Sequence, residues 1–421
     1  MNRNNGVELN KTEVCEQVEQ NRWTVLLGGF LLSLTGGMSY AWGSFVVPLT
    51  KEWGWTIAQA NMPFTVMIIV FSLTMIPAGY IQDRIGPGKV ALAGAVIFFI
   101  GYLLAALLRF IPNPIWLTIT YGGIVGVACG LTYACIAPTA RKWYSDKPAF
   151  AVSTSVMGFG LAAVVFAPLK KVIISLWGID GTLLVLGVFV GIGAFIGAKL
   201  MRNPPAGWSA PAKSNNANYK VGKFPEVKDI TPSEFIRSPM FYLLWITLAS
   251  VIGGGLTAIG LITAFGEMEL KLNPTSAAIA ISFYSLVNGL GRPCVGWFAD
   301  RFGTFKVMRI VYVVQACAFF ALPFIANNIF SLIMFSMLLG SGYAVTFALF
   351  PVVVAAGFGT KHLGVNYGLV FSAFGLGAVT SLVGAWLFDN TGSFIPAFIL
   401  AGLTTLIGLI LLTVIKRKLR I

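Results

Sequence analysis

Arg292 lies inside an apolar run, where a charged residue is unexpected. The stretch 281–303 reads ISFYSLVNGLGRPCVGWFADRFG, and Arg292 precedes its polar DRFG turn by eight residues. Eight helical residues rise about 12 Å, which predicts a position near the middle of a bilayer rather than at its edge. A charge at that depth costs at least about 2.5 kcal/mol and usually faces a protein-lined cavity. We interpret Arg292 as a functional cation; the alternative is a structural arginine bonded to backbone carbonyls.

The chemistry that suits such a cation is the binding of an anion. A planar guanidinium binds a carboxylate through two parallel hydrogen bonds. Asn288 precedes Arg292 by one helical turn and lies on the same face, where it can orient the guanidinium or bond a substrate hydroxyl. The pair predicts a site for a small carboxylate anion.

The composition is that of a membrane protein. Of the 421 residues, 57% are hydrophobic and 10% are charged, whereas a soluble protein carries about 25% charge. Apolar runs of about 20 residues recur along the whole chain, the length that spans a bilayer as a helix. They do not show the alternation of β-barrel strands, so helices are the remaining way to satisfy the backbone in lipid. The fold class predicted is therefore an all-α membrane protein.

The formal net charge of +14 raises the question of a nucleic-acid partner. The placement of the basic residues argues against one, because 23 of the 29 Lys and Arg lie at the termini and in alternate loops. This asymmetry predicts a multi-pass protein of a bacterial inner membrane with both termini in the cytoplasm. Apart from Arg292, the others are assigned to the opposite side: Lys51, Arg109, Lys170, Lys171 and Lys271.

No motif of a soluble enzyme appears in the sequence. Cys15, Cys129, Cys135, Cys294 and Cys317 have no metal or redox spacing. The GFGLA segment at 158–162 is not preceded by a strand, so close helix packing explains its glycines better than dinucleotide binding. We expect no enzymatic activity, no metal and no cofactor.

The apolar runs predict twelve transmembrane helices. We place them at about 23–48, 57–82, 89–110, 114–142, 148–174, 180–201, 239–268, 275–299, 305–326, 329–356, 364–388 and 393–415. A TPSEF segment at 231–235 predicts a capped surface helix. The resulting organisation is a disordered cytoplasmic tail 1–21, a six-helix bundle 22–202, a cytoplasmic linker 203–238, a second six-helix bundle 239–416 and a tail 417–421.

An internal repeat relates the two bundles. GYIQDRIGPGK (79–89) and GWFADRFGTFK (296–306) share the pattern G-aromatic-x-x-D-R-x-G-x-x-K, and each follows the second helix of its half. The repeat pairs Arg292 with Met75, so only one half supplies a cation. Two pseudo-symmetric halves predict a substrate site at the midplane between them, with alternating access by rocking.

These features resemble the major facilitator superfamily over almost the whole chain. The finer resemblance is to the oxalate/formate antiporter family, which includes bacterial lactate and other monocarboxylate carriers. It is carried by NGLGRP (288–293), ALFP (348–351), NYG (366–368), SYAW (39–42) and RKWY (141–144). The resemblance implies that the two D-R pairs close the cytoplasmic face as gate elements: Asp83, Arg84, Asp300 and Arg301.

The same resemblance implies which residues line the site beside Arg292 and Asn288. They are Tyr133, Tyr343, Phe347, Phe371 and Phe374, and position and repeat pairing add Met38, Tyr40 and Met157. Tyr133 and Phe347 are repeat mates, so we expect them to oppose each other across the cavity. Oxalate exchangers of the family carry a second cation, a Lys, where this chain has Phe374. The departure favours a monocarboxylate over a dicarboxylate, whose second charge would be unmatched.

The function predicted is therefore secondary transport of a small monocarboxylate such as lactate or pyruvate, with a proton, by a monomer in the lipid bilayer. Candidates for the proton are Glu269, which we prefer, and Glu267, both near the outer end of a helix; the alternative is that these glutamates are solvated residues that only cap the helix at the membrane edge. The lone His362 falls in a loop and is expected to be solvated. Two alternatives stay open: an anion exchanger of the oxalate/formate type, and a membrane carboxylate sensor that does not transport.

Overall fold

The N-terminal half of the chain forms one helical bundle. The computed structural model describes residues 11–55, 57–205, 208 and 229–419, and these contain no strand. The helices of this half, within the described ranges, are α1 (Lys11–Gly37), α2 (Gly43–Trp53), α3 (Ile57–Ile85), α4 (Pro87–Ala106), α5 (Pro114–Leu117), α6 (Gly126–Ala134), α7 (Ile136–Trp143) and α8 (Pro148–Leu200). Two 3₁₀ helices, at Met38–Ala41 and Leu107–Arg109, and a π-helical segment at Thr118–Val125 connect some of them.

The C-terminal half repeats this architecture after a short surface helix. That helix is α9 (Pro232–Arg237), and its capping box is the one predicted from TPSEF, with Glu234 accepting from the Thr231 backbone N–H at 2.9 Å. The remaining helices are α10 (Pro239–Met268), α11 (Pro274–Phe302), α12 (Thr304–Ile325), α13 (Ile329–Phe358), α14 (Leu363–Phe371), α15 (Ala373–Thr391) and α16 (Ile395–Leu419).

The number of membrane spans agrees with the predicted architecture. Within the described ranges, eleven segments are long and apolar enough to cross a bilayer. Helix α11 is not among these eleven segments; it has 29 residues and carries the charged residues Arg292, Asp300 and Arg301. Its length exceeds the roughly 20 residues that a span requires. Adding α11 gives twelve spans, and the all-α membrane fold is confirmed.

Two boundaries differ from the prediction. Helix α1 begins at Lys11, inside the segment 1–21 that was expected to be disordered, and α16 continues to Leu419, past the predicted start of the tail at residue 417. In both cases the polar residues extend an apolar helix by further turns, because backbone hydrogen bonds propagate once a helix is nucleated. Residues 1–10, most of the linker (206–207 and 209–228) and 420–421 lie outside the described residues.

Interruptions in the helices place backbone groups inside the bundle. Gly178 has φ 68° and turns α8 back on itself, so that α8 consists of two limbs, 148–177 and 179–200. The left-handed φ suits a residue without a Cβ, and the turn matches the predicted break between helices. The first span is interrupted at Met38–Ala41, between α1 and α2.

The most extensive contacts between the two halves are those of α8 with α11 and of α3 with α14. Glycines allow these backbones to approach closely. A Cβ added at Gly160 of α8 would lie 2.6 Å from the Gly289 Cα of α11, which no real side chain tolerates. Such close contact through glycine is how helices pack where no hydrophobic effect drives them together.

A bulkier residue at this crossing tests the packing. Gly160→Leu should lower the free energy of unfolding by about 1–3 kcal/mol, the usual cost of overpacking. Gly123→Leu is the matched control, because a Cβ at Gly123 meets no heavy atom within 4 Å. Thermal unfolding of both variants in detergent measures the difference, and equal stability would contradict this packing.

Candidate functional site

Arg292 is completely buried between the two halves, with 0% of its surface exposed. Its Nε donates to the Asn288 carbonyl at 3.0 Å, and its Nη2 donates to Asn288 Oδ1 at 3.0 Å. The Phe347 ring lies under the guanidinium, with its centroid 5.2 Å from Cζ. Asn288 therefore lies on the same helix face as Arg292, as its spacing of four residues predicted, and bonds the guanidinium.

The Nη1 group of the guanidinium contacts the N-terminal half. Arg292 Nη1 donates to the Val156 carbonyl of α8 at 2.6 Å. Among the described residues, the ion pairs join Arg22 to Asp146 and Arg109 to Asp180, and none includes Arg292. The cation is thus hydrogen-bonded but has no carboxylate partner in the described part of the chain. Neutral carbonyl and amide oxygens leave its charge uncompensated.

Tyrosine hydroxyls surround this cation. Five tyrosines from five helical segments lie in the neighbourhood of Arg292: Tyr40, Tyr133, Tyr284, Tyr343 and Tyr367. Two of them join the halves, because the Tyr40 and Tyr343 hydroxyls lie 3.3 Å apart. These groups can donate hydrogen bonds to an anion or accept them from a substrate hydroxyl.

Aromatic rings fill the rest of the space between the halves. Phe71 of α3 contacts Phe371 and Phe374 across the interface, with centroid distances of 5.2 and 6.3 Å. Phe347 lies 5.7 Å from Phe374 and 4.8 Å from Tyr343. The side chains predicted from the C-terminal half therefore form one cluster. Beside its single cation, the site offers apolar and aromatic surface.

Tyr133 and Phe347 are linked through a shared aromatic neighbour. The Phe371 ring centroid lies 5.6 Å from that of Tyr133 and 5.9 Å from that of Phe347. That the two rings oppose each other across a cavity stays a prediction. Met38 is buried, and Met157 is half-buried directly after Val156.

Sequence reasoning missed several members of the cluster. Tyr284 precedes Asn288 by four residues, as Asn288 precedes Arg292, so helical spacing alone could have found it. Tyr367 stands in the same relation to Phe371, and their rings are 5.6 Å apart. The contact with the Val156 carbonyl could not be predicted from the sequence, because every residue has a backbone carbonyl.

The two Asp residues of the repeated motif bind the opposite half. Asp83 Oδ2 accepts from the Val365 backbone N–H in the first turn of α14, at 3.2 Å. Asp300 accepts from the backbone N–H groups of Ala149 and Phe150 in the first turn of α8, at 3.1 and 2.8 Å. Each carboxylate thus caps a helix N-terminus across the interface, where negative charge is favoured. The two contacts are pseudo-symmetric and lie at the same end of the bundle.

The other predicted residues lie apart from these contacts. Arg84 stacks on Tyr80, and Arg301 lies over Trp297, each an aromatic residue of its own motif, and both arginines are exposed. Glu267 and Glu269 are exposed at the end of α10. On that helix the site lies near Gly255, which packs against Tyr343. Twelve helical residues, about 18 Å, separate Gly255 from Glu267.

Comparisons with known proteins agree with this architecture. The family model described as Major Facilitator Superfamily matches residues 25–377 and 260–420. The oxalate:formate antiporter of Oxalobacter formigenes is 25% identical over 82% of this chain and 80% of its own. Monocarboxylate transporter 12 of Xenopus laevis is 22% identical over 81% of this chain and 76% of its own. The crystal structure of the E. coli fucose:proton symporter FucP (N162A) has a TM-score of 0.70, with 13% identity, covering 94% of this chain and 98% of that one.

Substitution of Asn288 tests whether the Arg292 charge is uncompensated. Asn288→Asp replaces a neutral oxygen 3.0 Å from Nη2 by a carboxylate of nearly the same shape, so the thermal unfolding midpoint should rise. Asn288→Leu should lower the free energy of unfolding by about 1.5–3 kcal/mol, because hydrogen bonds to a charged group are lost. An Asp variant no more stable than the Leu variant would show that Arg292 already has a counter-ion.

Proposed function

The chain belongs to the major facilitator superfamily, a family of membrane transporters rather than enzymes, and on that premise we propose that it carries a small monocarboxylate such as lactate or pyruvate together with a proton. The observation that carries the proposal is the buried Arg292 guanidinium without a carboxylate partner among the described residues. Its relatives include the oxalate:formate antiporter and monocarboxylate transporters.

The carboxylate would bind Arg292 by replacing a neutral acceptor. The Val156 carbonyl offers Nη1 a neutral acceptor, whereas a carboxylate adds the attraction of a counter-charge and can accept from two N–H groups of the guanidinium in parallel, so an entering carboxylate competes well for Nη1. That exchange also removes a hydrogen bond between the halves. Substrate arrival therefore weakens the closure of the site, which is the coupling that alternating access requires.

The rings around the guanidinium favour a substrate with one charge and an apolar tail. Phe374 has 0% of its surface exposed and contacts Phe71, Phe347 and Phe371. A second carboxylate placed there would be desolvated without a partner, which costs several kcal/mol. The methyl group of lactate or pyruvate instead meets aromatic surface.

The Asp83 and Asp300 contacts support a gating role for the D-R motifs. Both carboxylates hold helix N-termini of the opposite half at one end of the bundle, which the distribution of basic residues assigns to the cytoplasm. In our proposal, breaking the two contacts opens the cytoplasmic side. Arg84 and Arg301 are exposed beside these contacts, where each packs on an aromatic residue of its own motif.

We assign proton coupling to the end of α10. Glu269 remains the first candidate for the proton acceptor, and Glu267 the second, because both are exposed at the end of α10 remote from Asp83 and Asp300. A proton taken up there can accompany the anion into the occluded site. We also propose that the protein lies in a bacterial inner membrane with both termini in the cytoplasm.

Anion exchange is the second candidate function, favoured by the similarity to the oxalate:formate antiporter. Purified protein in liposomes separates the two modes. Symport predicts uptake of radiolabelled lactate into empty liposomes when the exterior is acidified. Exchange predicts uptake only into liposomes preloaded with an anion, with or without a pH gradient, and this result would replace symport. Lactate binding without uptake in either condition would contradict the proposal that the protein transports lactate.

Replacing Arg292 by lysine separates charge from geometry. Arg292→Lys should lower lactate uptake by about tenfold to a hundredfold, as expected when hydrogen bonds to a charged group worth about 1.5–3 kcal/mol are lost. Arg309→Lys is the matched control, since Arg309 is exposed on α12. Near-normal uptake by Arg292→Lys would refute the role of the guanidinium.

Phe374→Lys tests the assignment of substrate charge. A second cation beside the site should reduce uptake of lactate and raise that of oxalate relative to it, because a dicarboxylate then finds both charges matched. Phe374→Leu controls for the loss of the ring. Competition of unlabelled lactate and oxalate against radiolabelled lactate gives the selectivity, and an unchanged ratio would place Phe374 away from the substrate.

A further inference from the structure

Lys170 is a second fully buried cation; the sequence placed it near the end of the predicted helix 148–174, on the side of the membrane opposite the cytoplasm. It lies on the first limb of α8 and has 0% of its surface exposed. It follows Phe150, which donates to Asp300, by twenty residues, or about 30 Å of helix. That is roughly the thickness of a hydrocarbon core. Lys170 therefore belongs to the end of the bundle opposite Asp83 and Asp300.

The side chain reaches back toward the middle of the bundle, as lysines on helices do. Its Nζ donates to the Met38 carbonyl at 3.0 Å and lies 4.9 Å from the centroid of the Phe45 ring. Neither ion pair found in the described residues includes Lys170. An ammonium carries three N–H donors, and a single carbonyl satisfies one of them. Burial of such a group costs several kcal/mol unless a partner compensates its charge.

The Met38 carbonyl needs a donor because the first span is interrupted there. Helix α1 ends at Gly37, a tight turn covers Met38–Ala41, and α2 begins at Gly43. Backbone groups freed by such a break inside a membrane must be satisfied by other parts of the protein. The same turn carries Tyr40, whose hydroxyl meets that of Tyr343 in the opposite half at 3.3 Å. Lys170 thus restrains the turn that links the halves beside Arg292.

We propose that Lys170 is a second substrate-binding side chain, which captures the carboxylate on its way from the end of the bundle opposite Asp83 to Arg292. The inference rests on the proposed function and extends it to the entry path. An ammonium prefers a carboxylate to a carbonyl oxygen. The entering anion therefore replaces the Met38 carbonyl as the hydrogen-bond acceptor of Lys170 Nζ. The freed turn then releases the Tyr40–Tyr343 contact, and the anion moves inward to Arg292.

A purely structural role for Lys170 is the competing explanation, and three substitutions separate the two. Lys170→Gln keeps an N–H donor for the Met38 carbonyl but lacks charge. Lys170→Met lacks both, and Lys170→Arg keeps both. Capture of the anion needs the charge, whereas capping the carbonyl needs only the donor. Lys51→Gln is the matched control, because Lys51 is exposed at the end of α2.

The measurement is the KM and maximal rate of radiolabelled lactate uptake by each variant in liposomes, with thermal unfolding as the check on folding. We expect KM to rise about tenfold or more in both Lys170→Gln and Lys170→Met, and to stay within about threefold of wild type in Lys170→Arg and Lys51→Gln. If the Arg variant does not fold, the comparison of Gln with Met decides.

Two results would overturn the inference. A wild-type KM in Lys170→Gln with an impaired Lys170→Met would make Lys170 only a cap for Met38. Equal loss in a stable Lys170→Arg variant would show that the charge has no part. Failure of the proposed function is recognised separately, because wild-type protein would then take up no lactate at all.

Discussion

The organisation of this transporter depends on the buried positive charge of Arg292, for which the described residues provide no carboxylate partner. Arg292 is fully buried, and its hydrogen-bond partners are the neutral oxygens of Asn288 and Val156. A cation in a medium of low dielectric constant is costly without a counter-charge. In the proposed function, an anionic substrate would supply that counter-charge and complete the ion pair.

The contacts that close the site are the same ones that a substrate would take over. Arg292 reaches the Val156 carbonyl of the other half, and Tyr343 reaches Tyr40. Both contacts use groups that can bind a carboxylate. In the proposed mechanism, binding and opening are therefore linked through shared donors, and the coupling requires no signal transmitted over a distance. The Asp83 and Asp300 contacts, at one end of the bundle, join carboxylates to backbone N–H groups instead.

Much of this arrangement could be predicted from the sequence because it follows from periodicity and repetition. The depth of Arg292 came from its spacing to the DRFG turn, and its contact with Asn288 came from the helical period. The doubled motif placed Asp83 and Asp300 at equivalent positions, although the helix N-termini that they cap became visible only in three dimensions.

What could not be predicted depends on packing between segments that are distant in the chain. Lys170 lies near the end of the predicted helix 148–174, and its burial depends on packing of α8 against the break at Met38–Ala41, which the sequence does not show. The repeat pairing placed Tyr133 opposite Phe347, and it could not show that the Phe371 ring contacts both of them. Tyr284 was within reach of the same four-residue spacing that identified Asn288.

The most direct test of the central claim is an experimental structure with lactate bound. The account predicts the carboxylate within hydrogen-bond distance of both Nη atoms of Arg292, the Val156 carbonyl released, and the methyl group against the rings of Phe347 and Phe374. A map with lactate elsewhere and the bond between Arg292 and Val156 intact would contradict it.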